Sequence, residues 1–368
     1  MGAMSHLRVL EVGDDSGAYA GKLLAELGAD VLRVRLPVGV ELPGLNIDPD
    51  PVVQDFLHRS KRDIELGPDS REWADALAGL VEQADLLLES GPPALLEHLG
   101  VDPDHEALSR DDLVRTRVSP FGLEGEHAAD PASDLVCSAS AGFLSLGGWP
   151  DRAPTRAFGD QSWRMASLHA AVGSMLALLE REDSGMGQQV EVSVEEAVAT
   201  ALENALQYYD LEGIVRTRGG AGYNEAGSGV YECADGFVYL MVGRLSTAQG
   251  WARLLDWLDE DDTPGAKILR LPVWSEHEYR RTSEARRTFA QIFERFAASR
   301  AKSDLYVEAQ HRGIAICPIN SPTDLLANEH LLARGFFVES DGVKQVGAPY
   351  RLSVTPWERG PRVLEVQR

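Results

Sequence analysis

The stretch LRVLEVGDDSGAYAGKLLAELGADVLRVRL, residues 7–36, decides the fold. Leu7 to Gly13 is a short apolar run of the kind a buried strand needs. Leu23, Leu24 and Leu27 then recur at helical spacing, and the run from Val31 reads as a second strand. Strand, helix and strand within about thirty residues form a βαβ unit, whose right-handed crossover makes the two strands parallel. The alternation continues outward: REWADALAGLVEQA predicts a helix, DLLLES a strand, and DDLVRTRVSPFG a further strand that leaves for a loop. Residues 1–120 therefore read as a doubly wound α/β sheet. The loop GDDSGAYAG does not fit the G-x-G-x-x-G spacing, so it carries no dinucleotide fingerprint.

From Ser162 to Arg181 the apolar positions Met165, Leu168, Val172, Met175, Leu176 and Leu179 follow a helical rhythm, and the glycines of DSGMGQ stop it. QVEVSVEEAVATALENALQYY predicts a strand followed by one long helix. Beyond RTRGGAGYNEAGSG the character changes. GVYECADGFVYLMVG reads as a hairpin turning at Asp235-Gly236, two helical patterns follow, and GIAICPI closes the region as a strand. The expected organisation is a large doubly wound α/β domain over 1–195, a linker at 196–220, an inserted smaller α+β domain at 221–320, and a hairpin-like return segment, 321–368, that completes the large domain.

A chain of 368 residues exceeds what one core usually supports. Acids outnumber bases 58 to 35, a formal charge of −23, which argues against a nucleic-acid partner because phosphate binding rests on clustered Lys and Arg. No run approaches the roughly 18 apolar residues of a membrane span, and the start lacks the regions of a signal peptide, so a cytoplasmic protein with no membrane partner is expected. Cys137, Cys233 and Cys317 are far apart and read as buried reduced thiols; no metal motif and no G-x-S-x-G elbow occurs.

Several segments, in order, resemble the family III CoA-transferases, the group that includes formyl-CoA and carnitine CoA-transferases and the α-methylacyl-CoA racemases. They are GAYAGKLLAELGADVLRV, SKRDIEL, LVRTRVSPFGLEGEHAADPASDLVCSASAGFLSLGG, FGDQSW, ALLEREDSGMGQQVEVSVEEA, YECADGFVYLMVG and GIAICPINSPTDLLANEHLLARGFF. The resemblance implies an interlocked homodimer, an acyl-CoA and a carboxylic acid acceptor as substrates, and no cofactor beyond the coenzyme A thioester itself.

By its local sequence Asp160 is a helix cap worth roughly 1 kcal/mol. The resemblance makes it the nucleophile that takes the acyl group as a mixed anhydride, a role suited to a side chain ionised at neutral pH. Asp134 matches the acid beside the active site, or caps the turn before LVCSASAGF. Gly227, Ser228 and Gly229 match in position a glycine-rich loop that folds over the intermediate, or form a plain linker. Expected CoA contacts are Arg33, Arg35, Lys61, Arg62, Ser90 and His98. Three departures stand out. The family's ENFRPG reads ESGPPA from Glu89 to Ala94, Asp14 and Asp15 would repel a pyrophosphate, and the C-terminal G-x-H-T signature is missing. The racemase branch uses a His where Ser133 stands and a Glu at or near Ser246, and serine offers no base. Two alternatives stay open beside transfer: a racemase, isomerase or lyase using Asp160 as base, and a non-catalytic partner subunit of a heteromeric transferase. Trp149, Trp163 or Tyr223 could line a pocket for a bulky acyl group, or fill cores.

Overall fold

The strands, in chain order, are β1 (Arg8–Gly13), β2 (Asp30–Arg35), β3 (Arg62–Glu65), β4 (Leu86–Ser90), β5 (Val114–Ser119), β6 (Gln189–Ser193), β7 (Ser228–Cys233), β8 (Gly236–Met241), β9 (Ile316–Ile319), β10 (Phe337–Ser340), β11 (Val343–Val346) and β12 (Val363–Leu364). The computed structural model describes residues 2–36, 42–66, 70–202, 204–220, 225–243, 248–340, 342–358 and 363–364. Tyr223 and Ser246 lie outside the described residues.

Seven strands form one sheet in the order β12-β3-β2-β1-β4-β5-β6, and all its pairings are parallel. The run β3-β2-β1-β4-β5-β6 is the doubly wound order, with its direction of winding reversing between β1 and β4. Because successive strand residues point to opposite faces, each strand feeds two cores. Val9, Val31, Leu86, Leu88 and Val118 pack beneath the helices Asp15–Glu26 and Gln161–Ser184. Leu10, Val12, Val34 and Leu87 pack on the other face with Trp73, Leu77 and Val81 of the helix Ser70–Val81.

At the reversal, Asp14 N–H donates to the Ser90 carbonyl at 3.2 Å and Ser90 Oγ donates to the Asp14 carbonyl at 2.8 Å. The helix Asp15–Glu26 starts there so close to β4 that a Cβ on Gly17 would lie 2.6 Å from Ser90 Cβ. Gly17→Ala is expected to overpack this seam and cost about 1–3 kcal/mol, seen as a lower urea midpoint with an unchanged slope.

The chain divides into two compact units, one of residues 1–146, 155–216 and 350–368, the other of 147–154 and 217–349. The break thus falls at 216/217 and at 349/350, where the sequence places a linker at 196–220 and the return at 321. Segment 321–349 belongs to the second unit. The segment forms its own hairpin, β10 with β11, and Lys302 of the second unit bonds Asp324 at 2.5 Å. In the second unit β7, β8 and β9 pair antiparallel under helices Ala248–Glu260 and Ser283–Ala297, around Tyr231, Trp274, Phe289 and Phe293.

Two local expectations are corrected. The long helix after β6 breaks into Val194–Ala199 and Ala205–Glu212. Thr200 Oγ1 bonds back to the Ala197 carbonyl at 2.7 Å, and Ala201 and Leu202 bond three residues back, so the turn tightens and the helix stops. Cys317 is exposed on β9, whereas Cys137 and Cys233 are buried; all three are free thiols. The rhythm from Ser162 to Arg181 marks a helix, Gln161–Ser184, yet its inward face is the small-residue one. Ala166, Ser167, Ala170, Ala171 and Ser174 are buried, while Leu168, Val172, Leu176 and Leu179 are 49–61% exposed. Among the described residues no helix is long and apolar enough to cross a membrane.

Candidate active site

Asp160 occupies the N-cap position of the helix Gln161–Ser184, with a β-side backbone (φ −95°, ψ 72°), but its side chain makes no capping hydrogen bond. The amide that a cap would take, Ser162 N–H, donates instead to Asp134 Oδ1 at 2.7 Å, and Ser162 Oγ donates to the Asp134 carbonyl at 3.1 Å. Asp134 sits at the start of the helix Asp134–Ser140 and is buried. The capping role is therefore filled by another segment, and the Asp160 carboxylate is left to face outward. Arg156 Nη2 donates to Asp160 Oδ1 at 2.8 Å and lies 3.5 Å from Asp134 Oδ2, so one guanidinium joins both acids. Burial raises the Asp134 carboxyl above its usual range; the bonds from Ser162 oppose this, the nearby Asp160 adds to it, and Arg156 again opposes it.

These groups border a cavity of about 400 Å³ whose wall includes Asp15, Asp48, Asp134, Arg156, Asp160 and Trp163. Ser133 also reaches it, at the position where a racemase places its histidine. Trp163 is buried in the wall, as the sequence allows; Trp149 belongs to the second unit and is half-exposed. Arg164, one turn along the helix, stands over the Tyr19 ring at 5.7 Å. Its Nη1 is buried without a hydrogen-bond partner, and burial lowers its pKa against the pull of Asp160 and Asp15. Burial pushes the Cys137 thiol up to about 12, so it stays protonated at neutral pH.

Of the six expected CoA contacts, Arg33, Arg35 and Lys61 border one cavity, and Arg62, Ser90 and His98 do not line it. Lys61 is enclosed, its side chain wholly shielded: Nζ donates to Glu11 Oε1 at 2.6 Å and to the Ala18 carbonyl at 2.8 Å, and meets His58 Nδ1 at 3.1 Å. These three partners use all the donors of an ammonium, so it has none left for a phosphate. Burial draws Lys61 down to about 8 and holds His58 neutral, which fits a ring nitrogen accepting from the ammonium. Glu11, Arg33 and Asp63 lie side by side across β1, β2 and β3 in register, a charged row on the inner face. Arg35 pairs with Glu65 at 2.5 Å, and Arg62 grips Asp30 with two bonds of 2.8–2.9 Å. Ser90 is buried in the seam with Asp14, and His98 is exposed at the end of the helix Leu95–His98. Arg33, Arg35 and Lys61 share a second cavity of about 320 Å³ with Arg59, Asp55 and Asp63.

Sequence reading missed the helix Pro51–His58, which supplies His58 and Gln54 to this neighbourhood. Its signal is present: Asp50 accepts from Val52 N–H as N-cap, and Pro51 fills the first helical position. The glycine loop is corrected too. Gly227 is a turn residue with φ +87°, and Ser228 and Gly229 are the first residues of β7, paired with Met241 and Leu240. A side chain at Gly227 would meet Val242 at 2.9 Å and Trp251 at 3.0 Å, so the segment is packed into its own unit.

Asp14 fills the spot where a helix N-terminus at the winding reversal takes a phosphate in nucleotide-binding sheets. Its carboxylate accepts from Ser16 N–H at 3.0 Å, Ser16 Oγ at 2.5 Å and Asn46 N–H at 2.9 Å. Burial outweighs these bonds and raises its pKa from 3.8 to about 6. A raised value means the stabilising contribution is present in full below the unfolded value and is lost as pH rises through about 6. Asp14→Asn removes that dependence. The wild-type advantage over the variant should fall by about 3 kcal/mol between about pH 3 and 7 in urea titrations.

The chain thus combines a doubly wound sheet with a cavity at the start of a long helix, where one guanidinium joins two carboxylates. The chain belongs to CoA-transferase family III, whose model matches residues 4–363. It is 37% identical to the succinyl-CoA:(R)-benzylsuccinate CoA-transferase subunit BbsE of Thauera aromatica, over 99% of this chain and 92% of that one. It is 27% identical to the succinyl-CoA–L-malate CoA-transferase alpha subunit of Chloroflexus aurantiacus, over 96% and 83%. A CAIB/BAIF family protein from Brucella suis superposes with a TM-score of 0.83 at 23% identity, covering 98% of this chain and 95% of that one, and so shares the fold.

Proposed function

We propose that the chain moves CoA between carboxylic acids through a covalent acyl group on Asp160. The observation that carries this reading is the displaced cap: Asp134 takes the Ser162 amide, which leaves Asp160 uncapped at the wall of the cavity. Its oxygen attacks the thioester carbonyl, the C–S bond breaks, and the CoA thiolate leaves, giving a mixed anhydride. Thiolate return to the aspartyl carbonyl frees the donor acid and leaves an aspartyl thioester. The acceptor carboxylate then attacks that thioester, and the thiolate closes the exchange on the acceptor's carbonyl. No proton need move at any step, and among the described residues no histidine lines the cavity. Names of relatives supply succinyl-CoA as the donor to try first. Incubation with succinyl-CoA and hydroxylamine should leave a hydroxamate on Asp160, read by peptide mass spectrometry; label elsewhere or nowhere rejects the anhydride.

A second reading has specific support. Two relatives are named as subunits, and the ESGPPA segment lacks the family's arginine. The chain then works beside a homologous partner that supplies the phosphate contacts, and the exposed row Leu168, Val172, Leu176 and Leu179 is the surface such a partner, or a second copy, covers. Succinyl-CoA exchange by the purified chain alone argues against an obligatory second polypeptide.

A further inference from the structure

The geometry points to Arg156 as a carboxylate latch: it clamps Asp160 in the resting protein and takes the acceptor's carboxylate once Asp160 is acylated. The inference rests on the reading of Asp160 as the acylated residue. Among the described residues Arg156 is the cation in the cavity wall, where four carboxylates, Asp15, Asp48, Asp134 and Asp160, also stand. Three of the four are engaged by neutral donors. Asp15 Oδ2 accepts from Asp48 N–H at 2.7 Å and from Gln54 at 2.9 Å, Asp48 Oδ1 accepts from Asp50 N–H at 2.8 Å, and Asp134 Oδ1 accepts from Ser162. Asp160 differs, because its bond is to the guanidinium, at 2.8 Å.

In the resting state the cation is spent on two acids, and the wall as a whole is negative. An entering carboxylate meets repulsion, and the Arg156 Nη2 that would bind it already donates to Asp160. Acylation turns Asp160 into a neutral ester-like group, which removes one negative charge and releases the stronger of the Arg156 contacts. The guanidinium is half-exposed on the cavity side, so it can rotate a planar donor pair onto an incoming carboxylate beside the aspartyl carbonyl. There the acceptor oxygen attacks the carbonyl carbon of the aspartyl thioester, a C–O bond forms, the C–S bond breaks and thiolate leaves. Electrostatics thus orders the reaction: donor first, acceptor only after charge has been cancelled.

Asn at position 160 reproduces the neutral, acylated charge state without chemistry. Calorimetric titration of succinate into three full-length chains tests the inference: wild type, Asp160→Asn, and Asp160→Asn/Arg156→Gln. Succinate should bind Asp160→Asn about tenfold or more tighter than wild type, and the double variant should lose that gain, the size expected of one charge-assisted bond. Equal affinity in wild type and Asp160→Asn, retention of the gain in the double variant, or no binding to any of the three overturns the latch. Persisting succinyl-CoA exchange in Asp160→Asn is a different failure: it rejects the nucleophile, whatever the titrations give.

Discussion

Asp160→Asn is expected to lower succinyl-CoA exchange by at least about 10³-fold while leaving the fold intact, because the amide oxygen cannot form an anhydride. The separation of the two effects follows from the geometry. A carboxylate that capped its helix would take about 1 kcal/mol of stability with it when replaced. Here the first turn is closed by Asp134, so the helix start does not depend on the Asp160 carboxylate. The unfolding midpoint should stay within about 0.5 kcal/mol of wild type. Full exchange by the variant would show that the acyl group never rests on this side chain. A large loss of stability would show that Asp160 holds the helix after all.

Lys61→Ala is expected to cost on the order of 3–5 kcal/mol, the size seen when one member of a buried ion pair is removed and its partner stays charged. Glu11 Oε1 loses its ammonium, and Glu11 Oε2 is already buried without a partner. The space for this pair comes from the helix above it, where a Cβ on Gly21 would fall 1.7 Å from Glu11 Oε2. Burial raises the Glu11 carboxyl and the Lys61 charge pulls it back, so neither residue can be altered alone without stranding the other. Glu11→Gln with Lys61→Met should recover most of the loss in urea titrations. Should Lys61→Ala instead fold normally and weaken CoA binding, the ammonium reaches ligand and the enclosed geometry does not describe the working state.

What the sequence disclosed and what it hid divide along physical lines. Runs such as RVLEVG and DLLLES are short, apolar and framed by turn residues, so strand identity and the parallel order were legible without coordinates. The long helix was legible as a helix but not as to its inner side. Large apolar residues usually mark the buried face, yet here Ala and Ser do, because two helices approach closely on the sheet. Arg33, Lys61 and Arg62 were read as ligand contacts from residue type and family position. Their opposing acids, Asp63, Glu11 and Asp30, are 30, 50 and 32 residues away, and no local pattern announces such a pairing. The Asp134–Ser162 bond, spanning 28 positions, was hidden for the same reason. The packing of Gly227–Gly229 at the start of a strand is hidden too, because glycine signals backbone freedom and close approach alike.

The start of the long helix is fastened by a residue it does not contain. Asp134 and the turn that carries Asp160 are therefore tied together, so a shift in the segment leading up to Asp134 is passed to the start of that helix.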